Sequence, residues 1–142
     1  MITAFFAPTP QPPRLAIPVY GSTVPAGFPS PADDYLETRL DLNDLLVHDP
    51  AATFMVRVCG DSMSGAGISS NDVLVIDRSI EPVSGHIVLA IVDGEFTVKR
   101  LQKQNAQIFL LPENPAYPPI KLQEGQELQI WGVVTGCVKS FL

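Results

Sequence analysis

A chain of 142 residues with 46% hydrophobic content is long enough to pack one domain around a core rather than remain a disordered tail. Fifteen acidic residues against nine basic ones leave a net charge of −6, and with no run of lysine or arginine direct nucleic-acid binding through a basic face is disfavoured. Cys59 and Cys137 have no metal-ligand spacing with His48 or His86. They read as reduced thiols in a cytoplasmic protein without metal or cofactor, a disulfide being the minor alternative.

The opening residues Met1 to Phe6 carry no basic leader and meet Pro8 early, which predicts neither a signal peptide nor a membrane span. Eight of the 14 prolines lie between Pro8 and Pro31, with Arg14 the one charged residue among them. Such a segment cannot be regular helix or central strand. Residues 1–31 read as an extended N-terminal arm, either disordered or laid on a surface. Within it, Thr23-Val24-Pro25-Ala26-Gly27-Phe28-Pro29 places two small residues between prolines that hold the backbone extended. A protease cleft could accept that shape, and a plain linker has the same composition.

From residue 32 to 142 the pattern is that of a folded domain. Asp41 to His48 sets leucines at i, i+3 and i+4 behind an acidic cap and ends before Pro50, which predicts one short helix with His48 as a solvated group at its C-terminal end. Strands are expected at 54–59, 73–77, 86–92, 95–101, 107–112, 128–134 and 136–140, separated by turn residues. Asp93-Gly94 is a two-residue hairpin signal. The whole reads as a mainly antiparallel, curled β domain. Trp131, Phe109, Leu110, Leu111 and Val133 are expected in the core.

Cys59-Gly60-Asp61-Ser62-Met63 puts a serine on a bend just after an apolar run. Alone, Ser62 reads as a turn or N-cap serine, and a nucleophilic role requires a base elsewhere. Lys99 is the candidate. Simple alternation puts Phe96 and Val98 on one face and Glu95, Thr97 and Lys99 on the other, where Lys99 would be a solvated strand residue.

Several blocks in order alter that balance. Ala26 to Pro31, Gly60-Asp61-Ser62-Met63, Gly85, Asp93-Gly94-Glu95-Phe96-Thr97-Val98-Lys99 and Trp131-Gly132-Val133-Val134 together resemble the UmuD branch of the LexA-type self-cleaving peptidases (peptidase S24-like). The resemblance implies a β-clip-like peptidase domain and a Ser-Lys dyad. Ser62 would be the nucleophile, Lys99 the general base, and the Ala26-Gly27 bond of the chain's own arm the target. Backbone N–H groups of Ser62 and Met63 would hold the oxyanion, and Val24 would fill a second apolar pocket, since alternate residues of an extended peptide face the same way. The base must be neutral, so the site must lower the lysine pKa, each unit corresponding to about 1.4 kcal/mol.

The resemblance further implies a homodimer, cleavage activated by a RecA–single-stranded-DNA filament, and a processed form that serves a UmuC-type Y-family polymerase in error-prone translesion synthesis during the SOS response. A module that keeps the fold but binds the polymerase without cleaving is the rival reading. His86 stands where such relatives commonly carry an acidic residue, and Cys59 lies close enough to Ser62 to confer sensitivity to thiol reagents. Residues 1–30 are too short and proline-rich for the helix-turn-helix domain of the repressor branch.

Overall fold

The computed structural model describes residues 2–15, 17–20 and 36–142, with the backbone course alone for 18–20 and 36–39. In chain order the elements are β1 (Ile2–Phe6), β2 (Ile17–Tyr20), β3 (Leu36–Leu40), α1 (Leu42–Leu46), β4 (Thr53–Val58), β5 (Val73–Asp77), β6 (Ile87–Val92), β7 (Glu95–Gln104), β8 (Gln107–Leu111), β9 (Ile120–Lys121) and β10 (Leu128–Val138). Eight strands form one curled sheet in the order β1-β4-β5-β10-β6-β7-β8-β9. Every neighbouring pair in it is antiparallel. This is the mainly antiparallel, curled β architecture expected from the turn spacing, and it is consistent with the LexA-like fold that the resemblance implies. Residues 1–8 and 49–142 make one compact unit, and residues 9–48 a second.

The Asp93-Gly94 turn takes positive φ at both residues, 48° and 85°, and pairs Val92 with Glu95. That geometry matches the right-handed twist of the strands it joins. Period-two alternation then sorts side chains between two apolar clusters. Leu89 packs with Val56, Val58, Met63, Ile68, Leu74 and Ile76, whereas the adjacent Val88 packs with Ala90, Leu101, Leu110 and Val133. The central strands are thus buried on both faces, each large side chain contributing about 1.5–3 kcal/mol.

The expected pair of C-terminal strands is one, β10, with register shifts between Ile130 and Gly132 and between Val134 and Gly136. Bulges keep pairing alive where an extra residue would otherwise end it. At the first, Gly132 allows close approach: a Cβ there would lie 2.6 Å from Ile76 Cγ2. Of the residues expected in the core, Leu110 and Val133 are buried, while Phe109, Leu111 and Trp131 are half-buried. Trp131 instead stacks edge-on against Phe54 and Phe96 beside Phe5, with the Arg78 guanidinium 5.4 Å from its ring centre.

Two strands lie within the proline-rich arm. β1 pairs with β4 at the sheet edge, and β2 forms a two-stranded sheet with β3, where Pro18 is tolerated because a two-stranded ribbon consists of edges. Helix α1 is shorter than expected. Its N-cap is Asp41, whose carboxylate accepts from the N–H of Asn43 (2.8 Å) and of Leu15 (2.9 Å). The C-cap is Val47, so His48 lies outside the helix and exposed. The leucine stripe is not a buried face either: Leu42 and Leu45 are each more than half exposed.

Candidate active site

β4 ends at Val58, and Gly60, at φ 111°, turns the chain in a backbone region that side chains rarely adopt. Its N–H donates to Ser70 Oγ (2.8 Å). Met63 then plunges into the first apolar cluster, 3% exposed, and fixes the residue before it at the surface. A 3-10 turn follows over Ser64–Ala66. Ser62 therefore sits between a glycine bend and a buried anchor, as the motif spacing suggests.

The segment after β8 sutures this turn. The N–H of Glu113 donates to Ser62 O (2.8 Å), and Glu113 O accepts from the N–H of Gly65 (2.7 Å). Asn114 Nδ2 donates to Asp61 O (2.9 Å), and the Tyr117 hydroxyl donates to Asp61 Oδ1 (2.5 Å). That bond to the Asp61 carboxylate, reinforced by its charge, raises the Tyr117 pKa. Arg100 closes the circuit by pairing with Glu113, which ties the serine turn to β7 one residue beyond Lys99. Sequence pattern gives no sign of these partners. The Asn114-Pro115 step marks a turn there, but nothing in it says what the turn holds.

Lys99 lies in β7 opposite Val88. Its Nζ is 3.1 Å from Ser62 Oγ, 2.7 Å from Thr97 Oγ1 and 3.1 Å from the carbonyl of Val98. Simple alternation makes this a solvated face. It is half-buried instead, because the serine turn lies over it. Burial removes water from the ammonium and lowers the Lys99 pKa from its ordinary 10.5. Among the described residues no carboxylate forms an ion pair with it. A neutral amine has two N–H donors and one lone pair, which suits this surround: it can donate to Thr97 and Val98 and accept the Ser62 O–H.

Beside the two side chains is a cavity of about 60 Å³. Val58, Met63, Ile68 and Val98 form apolar walls, and Ile2 reaches in from β1. Cys59, at the rim, is exposed. Ala26, Gly27 and Val24 lie outside the described residues. His86 belongs to the turn before β6, where its Nδ1 accepts from the N–H of Val83 (3.2 Å). Among the described residues no group of three His, Cys, Asp or Glu side chains could hold a metal ion, and no helix is long and apolar enough to cross a membrane.

A family model for peptidase S24-like proteins matches residues 18–135. The chain belongs to the peptidase S24-like family. Protein SamA of Salmonella typhimurium is 51% identical over 132 residues, which cover 93% of this chain and 91% of that protein. Protein ImpA of Escherichia coli is 44% identical over 124 residues, 83% of this chain and 80% of its own. Protein MucA of Escherichia coli is 42% identical over 121 residues, 84% and 82% respectively. These relatives make the chain a UmuD-type member of the S24-like family, in agreement with the ordered motif blocks. The S24-like match carries with it the general character of a self-cleaving serine peptidase.

Proposed function

We propose that this S24-like protein cuts its own arm between Ala26 and Gly27, with Ser62 as nucleophile and Lys99 as general base. The observation that carries the reading is the 3.1 Å approach of Lys99 Nζ to Ser62 Oγ, made by a lysine whose charge is disfavoured by burial. Lys99 takes the hydroxyl proton as Oγ bonds to the Ala26 carbonyl carbon. The resulting oxyanion needs donors, and among the described residues neither Ser62 N–H nor Met63 N–H donates to another protein group. Collapse breaks the Ala26–Gly27 C–N bond, and Lys99 returns its proton to the departing Gly27 amine. Water, deprotonated by the same lysine, then hydrolyses the Ala26 ester on Ser62. An apolar site accepts Val24 two residues upstream.

The UmuD-type membership supports a role in SOS mutagenesis. In this reading residues 27–142 act in the cytoplasm as a homodimer that serves a UmuC-type Y-family polymerase, and a RecA–single-stranded-DNA filament favours the cleavable pose of the arm. Peptidase activity is then a single-use switch and the lasting function is binding. Incubating the purified full chain at mildly alkaline pH, with and without the activated filament, and weighing the products tests this directly. Fragments ending at Ala26 and beginning at Gly27 are expected, and full-length protein surviving both conditions would leave the non-cleaving binding module as the correct reading.

A further inference from the structure

Ile2 pairs with Val58, the last residue of β4, which places the first described residue of the chain beside the turn that bears Ser62. Its side chain is half-buried, packs on the first apolar cluster and walls the same small cavity that Ser62 and Lys99 line. Among the other apolar walls, Val58, Met63 and Ile68 are no more than 6% exposed and are fixed in a close-packed core, while the half-buried Phe96 and Val98 belong to β7, which is paired on both sides. Ile2 is held differently. It belongs to the terminal strand of the sheet, with β4 as its only neighbour among the described residues, and a register shift separates it from Ala4.

We propose that Ile2 is a specificity-determining residue of the self-cleavage reaction, its branched side chain closing the pocket that receives residue 26 and limiting that residue to a small apolar side chain. The inference rests on the cleavage reading above and adds to it that the arm supplies part of the pocket that reads it. The chemistry of the cavity agrees. Lys99 is the one charged group among its lining residues, the walls are apolar, with Phe96 the one aromatic among them, and the volume of about 60 Å³ suits a methyl better than a branched chain. A β-branched residue is also stiff at χ1, so the wall at position 2 is fixed in shape and larger residues cannot push it aside at little expense.

Size exchange between positions 2 and 26 tests the idea, with first-order rates of cleavage of the full chain followed by intact mass at mildly alkaline pH. Cutting of the unaltered chain after Ala26 is the reference; its absence would refute the cleavage reading itself, independently of Ile2. Ala26→Val is expected to slow cutting at least tenfold, and Ile2→Ala combined with Ala26→Val to recover at least fivefold of that loss. Ile2→Phe, which retains strand propensity and so keeps β1 in place, is expected to slow cutting at the natural Ala26 at least fivefold. A recovery below twofold in the double variant, or an undiminished rate for Ile2→Phe, overturns the proposal.

Discussion

Gly65→Ala is the substitution that separates a serine turn held by its suture from one that merely lies near it. A Cβ at position 65 would stand 2.6 Å from the backbone oxygen of Glu113, whereas ordinary contact begins near 3.4 Å. The difference, 3.4 − 2.6, is 0.8 Å, and because the obstacle is backbone rather than a flexible side-chain tip, the turn or the Glu113 segment must move. Overpacking of this kind destabilises by about 1–3 kcal/mol, and loss of the Gly65–Glu113 hydrogen bond adds about 1 kcal/mol. The effect on chemistry should be larger in proportion. A displacement of 0.8 Å could stretch the 3.1 Å Ser62–Lys99 contact beyond hydrogen-bond range, and misplacing a reacting group by about 1 Å costs on the order of 100-fold in rate. Cleavage rate and thermal midpoint are measured together, with Gly125→Ala as comparison, since Gly125 has φ +87° but nothing within 4 Å of an added Cβ. Both variants should melt earlier, but only Gly65→Ala should lose cleavage. Wild-type cutting by Gly65→Ala would refute the claim that the Glu113 segment positions Ser62.

Further predictions follow from charge. Because the proposed base, Lys99, would act in its neutral form and burial lowers its pKa from 10.5, the cleavage rate should climb with pH until the lysine is deprotonated; a flat profile from about pH 6 to 10 would point to another base. The same depression means the unfolded chain binds the proton more tightly than the folded one. Stability contributed at this site therefore rises with pH between the lowered pKa and 10.5, and Lys99→Met should remove that slope in denaturant titrations at successive pH values. Asp72 adds a slope of the same sign at the acid end. Burial alone would raise its pKa, but hydrogen bonds from Lys139, the Ser69 N–H and Cys137 outweigh this and hold it below 3.8. Its stabilising contribution is present above 3.8 and lost as pH falls from there through the lowered value. Asp72→Asn should lower neutral-pH stability by about 1–3 kcal/mol and flatten the acid limb, and unchanged acid sensitivity would contradict the assignment. The same carboxylate, after desolvation as the larger cause, helps push the Cys137 thiol up to about 11, so Cys137 should react slowly with thiol reagents near neutral pH.

Local chemistry written into single residues is legible in the amino-acid sequence. The strand Val73–Asp77 has both its ends marked there, because a short β-branched run stands between turn residues. The Asp93-Gly94 hairpin follows from two residues that tolerate positive φ. What depends on distant segments is not legible in the same way. Alternation places Thr97 and Lys99 on one face correctly but cannot show that the serine turn covers it. The pairing of Ser62 with Lys99 is carried by the ordered motif blocks, not by periodicity. Ile2–Phe6 gives no strand signal beyond an apolar start, yet partnering with β4 makes it one. Conversely, the leucines of α1 promise a buried stripe, but a helix of five residues has too few turns to present one, and its caps rather than its side chains hold it.

Intact mass of the full chain beside its Ser62→Ala and Lys99→Ala variants, each incubated at mildly alkaline pH, tests the central claim most directly. The account predicts a single cut between Ala26 and Gly27 in the natural sequence and none in either variant, with all three equally folded. Equal cutting by either variant in isolation, or a cut at another bond, would contradict it.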